Sequence, residues 1–488
     1  MGHTKIAIAK PFEGAPKINL PSVYGASPKK PILLRIGATG ERPMTFTAEN
    51  LPSGLTLEGN ILSGTVAEEG DYKITLIARN ALGENRKELT LEIAPNRVLL
   101  TPLMGFTTWN AFASRVRQEN VVEIAQRVVD LGIAEYGYGY INLDSGWQWK
   151  YGGEFDAIMP NEKFPDMKGM TDAVHALGFK CGIYSTPMLT AWGCPEEFAS
   201  IPGCTVGEPD ERFSETMGGI GVIHKEANNV KQWDAWGFDY LKYDWRPTDP
   251  VNAELMRQEL IKASRDFGYC VTVKALIDYH KYWSKYVNSY RCNVDSQGYW
   301  DNLVEIYRTY FPFIPHINKG HYFDLDMLDV GSCGLQPSRL SEDEAIVAYT
   351  MRAFLNSPIQ ISSTLENIGE FEFSLYCNEE MIAINQDCAF STAHPVMIEE
   401  KDGYIYHVFE KKLEDGKYAY AFFNFGEKSM HTQTFFEGKG VIRDVWEKTN
   451  LTEDGDYLFF RMYPHTCRVL KSDTRLYLTV NNIELTVI

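Results

Sequence analysis

Four aspartates in this sequence each close a short apolar run that also carries a basic or aromatic residue close by. They are Asp144 in Asn142-Leu-Asp144-Ser-Gly-Trp147, Asp244 in Lys242-Tyr-Asp244-Trp245, Asp295 in Arg291-Cys-Asn-Val-Asp295, and Asp326 in Asp324-Leu-Asp326. Carboxylates gathered on one surface have two main uses. They can hold a divalent metal, or they can do nucleophilic and acid/base work on a glycosidic bond. Metal sites usually recruit His or Glu at recognisable spacing, and no His ends the first three of these runs. Sugar chemistry fits better. Retention of configuration needs two carboxyl groups about 5 Å apart, one to attack the anomeric carbon and one to protonate the leaving oxygen and later deprotonate water.

Taken singly, an Asp at the end of a run reads as a helix N-cap or a turn residue. Taken together on one rim, the four read as a site. Lys242 alternates with Asp244, so both can face the same side, where a cation keeps the carboxylate ionised. Arg291 precedes Asp295 by four residues and can do likewise or bind a sugar hydroxyl; an ordinary ion pair is an equal alternative. Trp109, at the end of the strand-like run Leu103–Trp109, and Trp147, at the end of Tyr138–Trp147, offer flat surfaces for a sugar. Trp233 and Trp236, at helical spacing, read as core.

The elements that must position these groups alternate strictly from Thr101 onward. Strand-like runs at Leu103–Trp109, Tyr138–Trp147, Lys180–Ser185, Tyr240–Trp245, Tyr269–Ala275, Ser289–Asp295, Tyr322–Leu328 and Pro358–Ser363 are separated by helical patterns. Those helical patterns, such as Val121–Leu131, repeat apolar residues every three or four positions. Eight such units are the pattern of a closed parallel barrel, whose reactive groups lie at the C-terminal strand ends. An open doubly wound sheet would compete, but no GxGxxG turn is present. Upstream, Asp71–Asn80 and Lys87–Ile93 alternate as half-buried strands. After Asp387 the helices give way to short strands at Tyr404–Phe409, Tyr418–Phe423, Thr432–Phe436, Val441–Val445, Tyr457–Met462, Leu476–Val480 and Glu484–Ile488. The expected fold is therefore an α/β (β/α)8 TIM barrel (98–390) between an N-terminal immunoglobulin-like β-sandwich (1–97) and a C-terminal antiparallel β-sandwich (391–488).

Composition narrows the function further. The net charge is −18, from 65 acidic and 47 basic residues, a field that repels nucleic acid and anionic lipid. No apolar run approaches the roughly 18 residues that span a bilayer. The start lacks the apolar core of a signal peptide; a periplasmic or secreted chain whose signal has been removed is expected in preference to a cytoplasmic one. The nine Cys contain no CxxC pair. Cys181, Cys270 and Cys292 read as buried thiols, and Cys194 with Cys204 are the two placed to pair. The sequence sets no oligomeric state.

Two stretches resemble known families. Leu51-Pro-Ser-Gly-Leu55, Gly64-Thr65 and the run from Asp71 to Gly83 are similar to the immunoglobulin-like modules fused to bacterial glycosidases; it is read as a spacer without a ligand of its own. From Thr101-Pro-Leu-Met-Gly-Phe-Thr-Thr-Trp-Asn110, through Tyr140–Asp144, Gly182–Ser185, Gly237–Asp244, Gly320–Gly331 and Leu340–Glu344, to Met381–Asp387, the chain resembles glycoside hydrolase family 27, the α-galactosidases and α-N-acetylgalactosaminidases. That resemblance implies Asp244 as nucleophile, Asp295 as acid/base, Trp109, Asp144, Lys242 and Arg291 as sugar-binding groups, and no metal or organic cofactor.

Three departures bear on the sugar pocket. The family's paired Asp at the second strand is Asp144-Ser145 here, its fifth-strand end is replaced by Thr272-Val-Lys-Ala-Leu276, and Trp245-Arg246 follows the nucleophile position. Ser145, Lys274 and Asp326 join Trp147 as further candidate substrate-binding residues; an inward Lys274 would favour an acidic or substituted sugar, an outward one nothing. The expected activity is a retaining exo-α-galactosidase acting on an oligosaccharide or polysaccharide. β-L-Arabinopyranosidase and α-N-acetylgalactosaminidase are the alternatives on the same fold, and a non-catalytic carbohydrate-binding protein is the alternative of a different class.

Overall fold

The computed structural model describes residues 2–186, 189–192, 217–219, 224–244, 248–292, 294–334, 337–436, 440–451 and 457–478. Its centre is a parallel sheet of β1 (Met104–Thr107), β2 (Tyr140–Leu143), β3 (Lys180–Ser185), β4 (Tyr240–Tyr243), β5 (Gly268–Val273), β6 (Ser289–Cys292), β7 (Tyr322–Phe323) and β8 (Ile359–Ile361). Strands β1 to β7 pair in chain order, and β8 pairs with β1. A parallel bridge between Leu328 and Ile361, with the Leu328 N–H 2.8 Å from the Gln360 carbonyl, closes the ring behind β7. The chain is a (β/α)8 barrel.

Local sequence explains each layer. Strands covered on both faces need no polar alternation, and all six residues of β3 and of β5 are buried. The helix Gln118–Asp130 buries Val121, Ile124, Ala125 and Val128, one stripe at three- and four-residue spacing. The helix Glu342–Phe354 is opened by a capping box, in which the Ser341 hydroxyl accepts the Glu344 N–H at 3.3 Å and the Glu344 carboxylate accepts the Ser341 N–H at 2.8 Å. Eleven of its thirteen residues are buried, because the barrel covers one side and the C-terminal sandwich the other.

The two flanking modules meet the barrel differently. The N-terminal module is a four-stranded sheet facing a three-stranded one, packed around its own core of Ile32, Leu62, Ile74, Leu76, Leu89 and Leu91. Its contact with the barrel includes buried charged groups. Buried Glu135 takes Arg35 at 3.2 Å and Arg42 at 3.1 Å, and Asp266 accepts the Ser27 N–H at 2.6 Å. The C-terminal sandwich instead contributes Phe409, Phe423, Phe425, Trp446 and Val469 to the same apolar cluster as the barrel strands.

The strand Thr466–Ser472, absent from the sequence expectation, lies inside the six-stranded C-terminal sheet, between Tyr418–Asn424 and Ile442–Asp444. It is buried on both faces, so it lacks the period-two alternation that marks a strand with one wet side. The edge strand His394–Lys401 is missed for the opposite reason, being mostly exposed. The expected strand at 484–488 and the expected Cys194–Cys204 pair fall outside the described residues. The described cysteines are free thiols, and Cys181, Cys270 and Cys292 are buried as expected.

Lys411 joins the sandwich to the barrel. Its ammonium is buried and donates at 2.6 Å to both the Asn356 amide oxygen and the Ile384 carbonyl. Burial, partly offset by Asp387, lowers its pKa to about 7. Between about pH 7 and 10.5 the unfolded chain therefore holds a proton that the folded chain does not, and stability rises with pH by up to about 1.4 kcal/mol per unit. Denaturant unfolding at pH 7.5 and 9.5 is expected to show this slope in the native protein and a flatter one in Lys411→Met.

Candidate active site

The C-terminal strand ends bring four elements to one charged cluster. Asp144 follows β2, Asp244 follows β4, Arg291 lies in β6 with Asp295 just beyond it, and Asp326 follows β7. Lys242, in β4, places its ammonium 2.7 Å from Asp144 and 3.6 Å from Asp244. Arg291 reaches Asp244 at 3.4 Å, Asp326 at 3.2 Å and, through the same nitrogen as the latter, Asp295. The neighbouring strand β5 puts Thr272 in register with Arg291, and the Thr272 hydroxyl donates to Asp244.

Each carboxylate is held by more than its cation. Asp144 accepts the Ser145 N–H at 2.7 Å, and its own N–H donates to the Thr108 hydroxyl at 2.9 Å. Asp326 accepts the Ser296 N–H at 2.8 Å, which ties the segment after Asp295 to the segment after β7. Asp326 itself has φ +65°, in the left-handed region that a non-glycine residue enters only when its surroundings hold it there. Arg352 supplies that hold. Fully buried in the helix Glu342–Phe354, it donates to the carbonyls of Leu325 (2.9 Å), Asp326 (3.1 Å) and Met327 (2.6 Å).

Charge decides which groups can ionise. Burial works against the Lys242 ammonium, but Asp144 and Asp244 more than offset it, so it titrates above the ordinary lysine range. The Arg291 guanidinium is stabilised likewise, against burial, by Asp326, Asp244 and Asp295. Deeper in the barrel the balance reverses. Burial raises Asp324 to about 6 and Asp329 to about 7, with the Asp326 charge adding to both. Burial thus disfavours the ionised form of both groups. Exposure separates the two rim carboxylates that Arg291 shares: the Asp295 side chain is 70% exposed and that of Asp244 14%.

The remaining candidates divide. Trp109 opens a short helix at the end of β1 and is half-buried, and Ser145 is buried beside Asp144. Trp147 is a correction to the sequence expectation. It is fully buried, bonds the Tyr184 carbonyl through its indole N–H at 3.0 Å and packs edge-on against Trp236, so it belongs to the core. Lys274 lies just past β5 and is exposed, the outward alternative. Trp245 and Arg246 are outside the described residues. Three participants went unrecognised in the sequence: Thr272, Arg352, and Tyr184, whose ring lies 5.5 Å from the Lys242 ammonium. For Thr272 the available signal was a hydroxyl within the buried, mainly apolar run Tyr269–Val273. Among the described residues no group of His, Cys, Asp and Glu is arranged to hold a metal ion.

Comparison with known proteins gives this geometry its relatives. Residues 209–387 match the family described as "Alpha galactosidase A", 405–472 its "C-terminal beta sandwich domain" and 15–94 the "Putative Ig domain". The chain is a glycoside hydrolase whose barrel and C-terminal segments are similar to α-galactosidases. An α-galactosidase A of Cellvibrio japonicus is 29% identical over 68% of this chain and 77% of its own length. A Dictyostelium discoideum protein named "Probable alpha-galactosidase" is 26% identical over 81% of this chain and 97% of its own. A crystal structure of a "putative alpha-galactosidase/melibiase" from Bacteroides fragilis aligns with a TM-score of 0.82 and 28% identity, covering 94% of this chain and 98% of that one.

Within this glycoside hydrolase, Lys242 is the bond between two strand-end carboxylates. Lys242→Met leaves Asp144 buried without its cation, a loss of about 1.5–3 kcal/mol for a charged hydrogen bond. Steady-state kinetics on the aryl glycoside that the native enzyme hydrolyses are expected to show kcat/KM lower by about 10- to 150-fold.

Proposed function

We propose that the protein is a retaining exo-α-galactosidase in which Asp244 is the nucleophile and Asp295 the acid/base. The observation that carries this reading is the single guanidinium of Arg291 shared by the two carboxylates. In the first step Asp244 attacks the anomeric carbon of a terminal sugar, and Asp295 gives its proton to the departing glycosidic oxygen. This leaves a glycosyl ester on Asp244 and an ionised Asp295. In the second step Asp295 takes a proton from water as the water attacks the same carbon, and Asp244 leaves as a carboxylate.

Across the first step Asp244 loses its negative charge as Asp295 gains one. Arg291 therefore faces one carboxylate charge on this pair at every stage, and the buried cation is never stranded. The exposure of Asp295 suits a group that must meet both the leaving oxygen and incoming water. Asp144, with Lys242 beside it, and half-buried Trp109 are the groups we assign to the terminal sugar. The role needs no cofactor.

Ser145 favours a second reading on the same chemistry. It stands where relatives resembling this sequence carry a second Asp for sugar hydroxyls, and losing a charged acceptor weakens selection for the 6-hydroxymethyl group. A galactose-configured sugar without that group, β-L-arabinopyranose, is the substrate this change would admit.

The test is release of p-nitrophenol from the α-galactoside, α-N-acetylgalactosaminide and β-L-arabinopyranoside. Release from the galactoside is expected, and Asp244→Asn is expected to reduce it by about 10³-fold or more. Asp295→Ala should lose less on this good leaving group than on an unactivated galactoside. Ordinary turnover by Asp244→Asn overturns the assignment. Release from the arabinopyranoside alone moves the specificity to the second reading.

A further inference from the structure

The fifth strand departs from the family pattern, and it also touches the reacting carboxylate. Thr272 is 4% exposed, and β5 aims it inward with Cys270, whose thiol faces Asp324 at 3.7 Å. Its backbone is fixed by register with Arg291 and by its carbonyl, which accepts the Thr248 N–H at 2.7 Å. Its hydroxyl donates to Oδ1 of Asp244, while the measured contacts of Lys242 and Arg291 are to Oδ2.

We infer that Thr272 is a positioning residue for the nucleophile: its hydroxyl fixes the Asp244 carboxylate through Oδ1 and turns the other oxygen toward the sugar. The inference rests on Asp244 being the nucleophile. A β-branched residue on a strand has a restricted χ1, so the donor is held at one angle, and the carboxylate plane is fixed before substrate arrives. A hydrogen bond to the ionised form also favours ionisation. When Asp244 becomes an ester, Oδ1 is its carbonyl oxygen and a weaker acceptor. The bond strengthens again as charge returns to Asp244 in the second step, so the hydroxyl assists departure as well as attack.

Among the described residues, the charged and titratable groups around Asp244 come from several elements: Lys242 on its own strand, Arg291 on β6, Tyr184 on β3, and Asp144, Asp295 and Asp326 through the two cations. None of these is altered by changing Thr272, so the effect of its hydroxyl can be isolated.

The experiment measures kcat, KM and the pH dependence of kcat/KM for Thr272→Val, Thr272→Ala and Thr272→Ser, with Asp244→Asn as control, on the aryl glycoside that the native enzyme hydrolyses. Removal of the hydroxyl is expected to lower kcat by about tenfold or more with KM little changed. It should also move the acidic limb of kcat/KM upward by about half a pH unit, and Thr272→Ser should restore both. If Thr272→Val does not fold, the Ser-to-Ala comparison carries the same test. Native-like kinetics and an unmoved acidic limb in the variants without a hydroxyl, or equal damage in Thr272→Ser, would overturn the inference. Ordinary turnover by Asp244→Asn would instead remove the nucleophile reading beneath it.

Discussion

The buried guanidinium of Arg291 is the constraint around which the rim is built. A cation inside a protein is tolerated only when paired and hydrogen-bonded, and this one has partners on three segments: Asp244 after β4, Asp295 after β6 and Asp326 after β7. Each bond fixes the end of a different strand, so the geometry of the rim and the neutralisation of its charge are a single requirement. Lys242 extends the arrangement to β2 through Asp144. The left-handed turn at Asp326 follows from the same demand, since an ordinary turn would not present its carboxylate together with the Ser296 contact, and Arg352 offsets the strain from behind.

Much of this was legible in the sequence because parallel strands end abruptly, and the residue that ends them faces a known side of a barrel. All eight strands follow from runs of apolar residues, and the Asp144, Lys242, Asp244, Arg291, Asp295 and Asp326 cluster from the four runs that close on an Asp. What escaped depends on contacts between distant segments. Trp147 sits next to Asp144 in sequence, yet the turn at Gly146, with φ +110°, separates their directions and sends the indole into the core. Arg352 lies in a helix whose sequence does not name its partners, and only the layers packed around that helix reveal what its guanidinium bonds.

Thr272 shows a different limit. Measured against the family, its strand reads as a loss, because the usual residues are absent. Its hydroxyl acts on a carboxylate 28 positions away, and no spacing rule within one strand points there. The departures at Ser145 and Thr272 are thus unlike in kind: one leaves a hydroxyl in place of a charged group beside Asp144, the other places a donor on the Asp244 carboxylate.

The unequal borders of the three modules bear on how such a chain was assembled. The N-terminal sandwich keeps its own core and meets the barrel through ion pairs, so over evolution it can be gained, exchanged or shed while the barrel remains whole. The C-terminal sandwich also has a core of its own, around Val408, Tyr420, Phe422 and Leu470, but it is joined to the barrel by an apolar seam as well. The barrel-facing side of its larger sheet completes the apolar cluster that encloses the helix carrying Arg352, and that helix in turn holds the turn at Asp326. A lineage that lost this sandwich would lose the active site with it, so barrel and sandwich must be inherited as one unit.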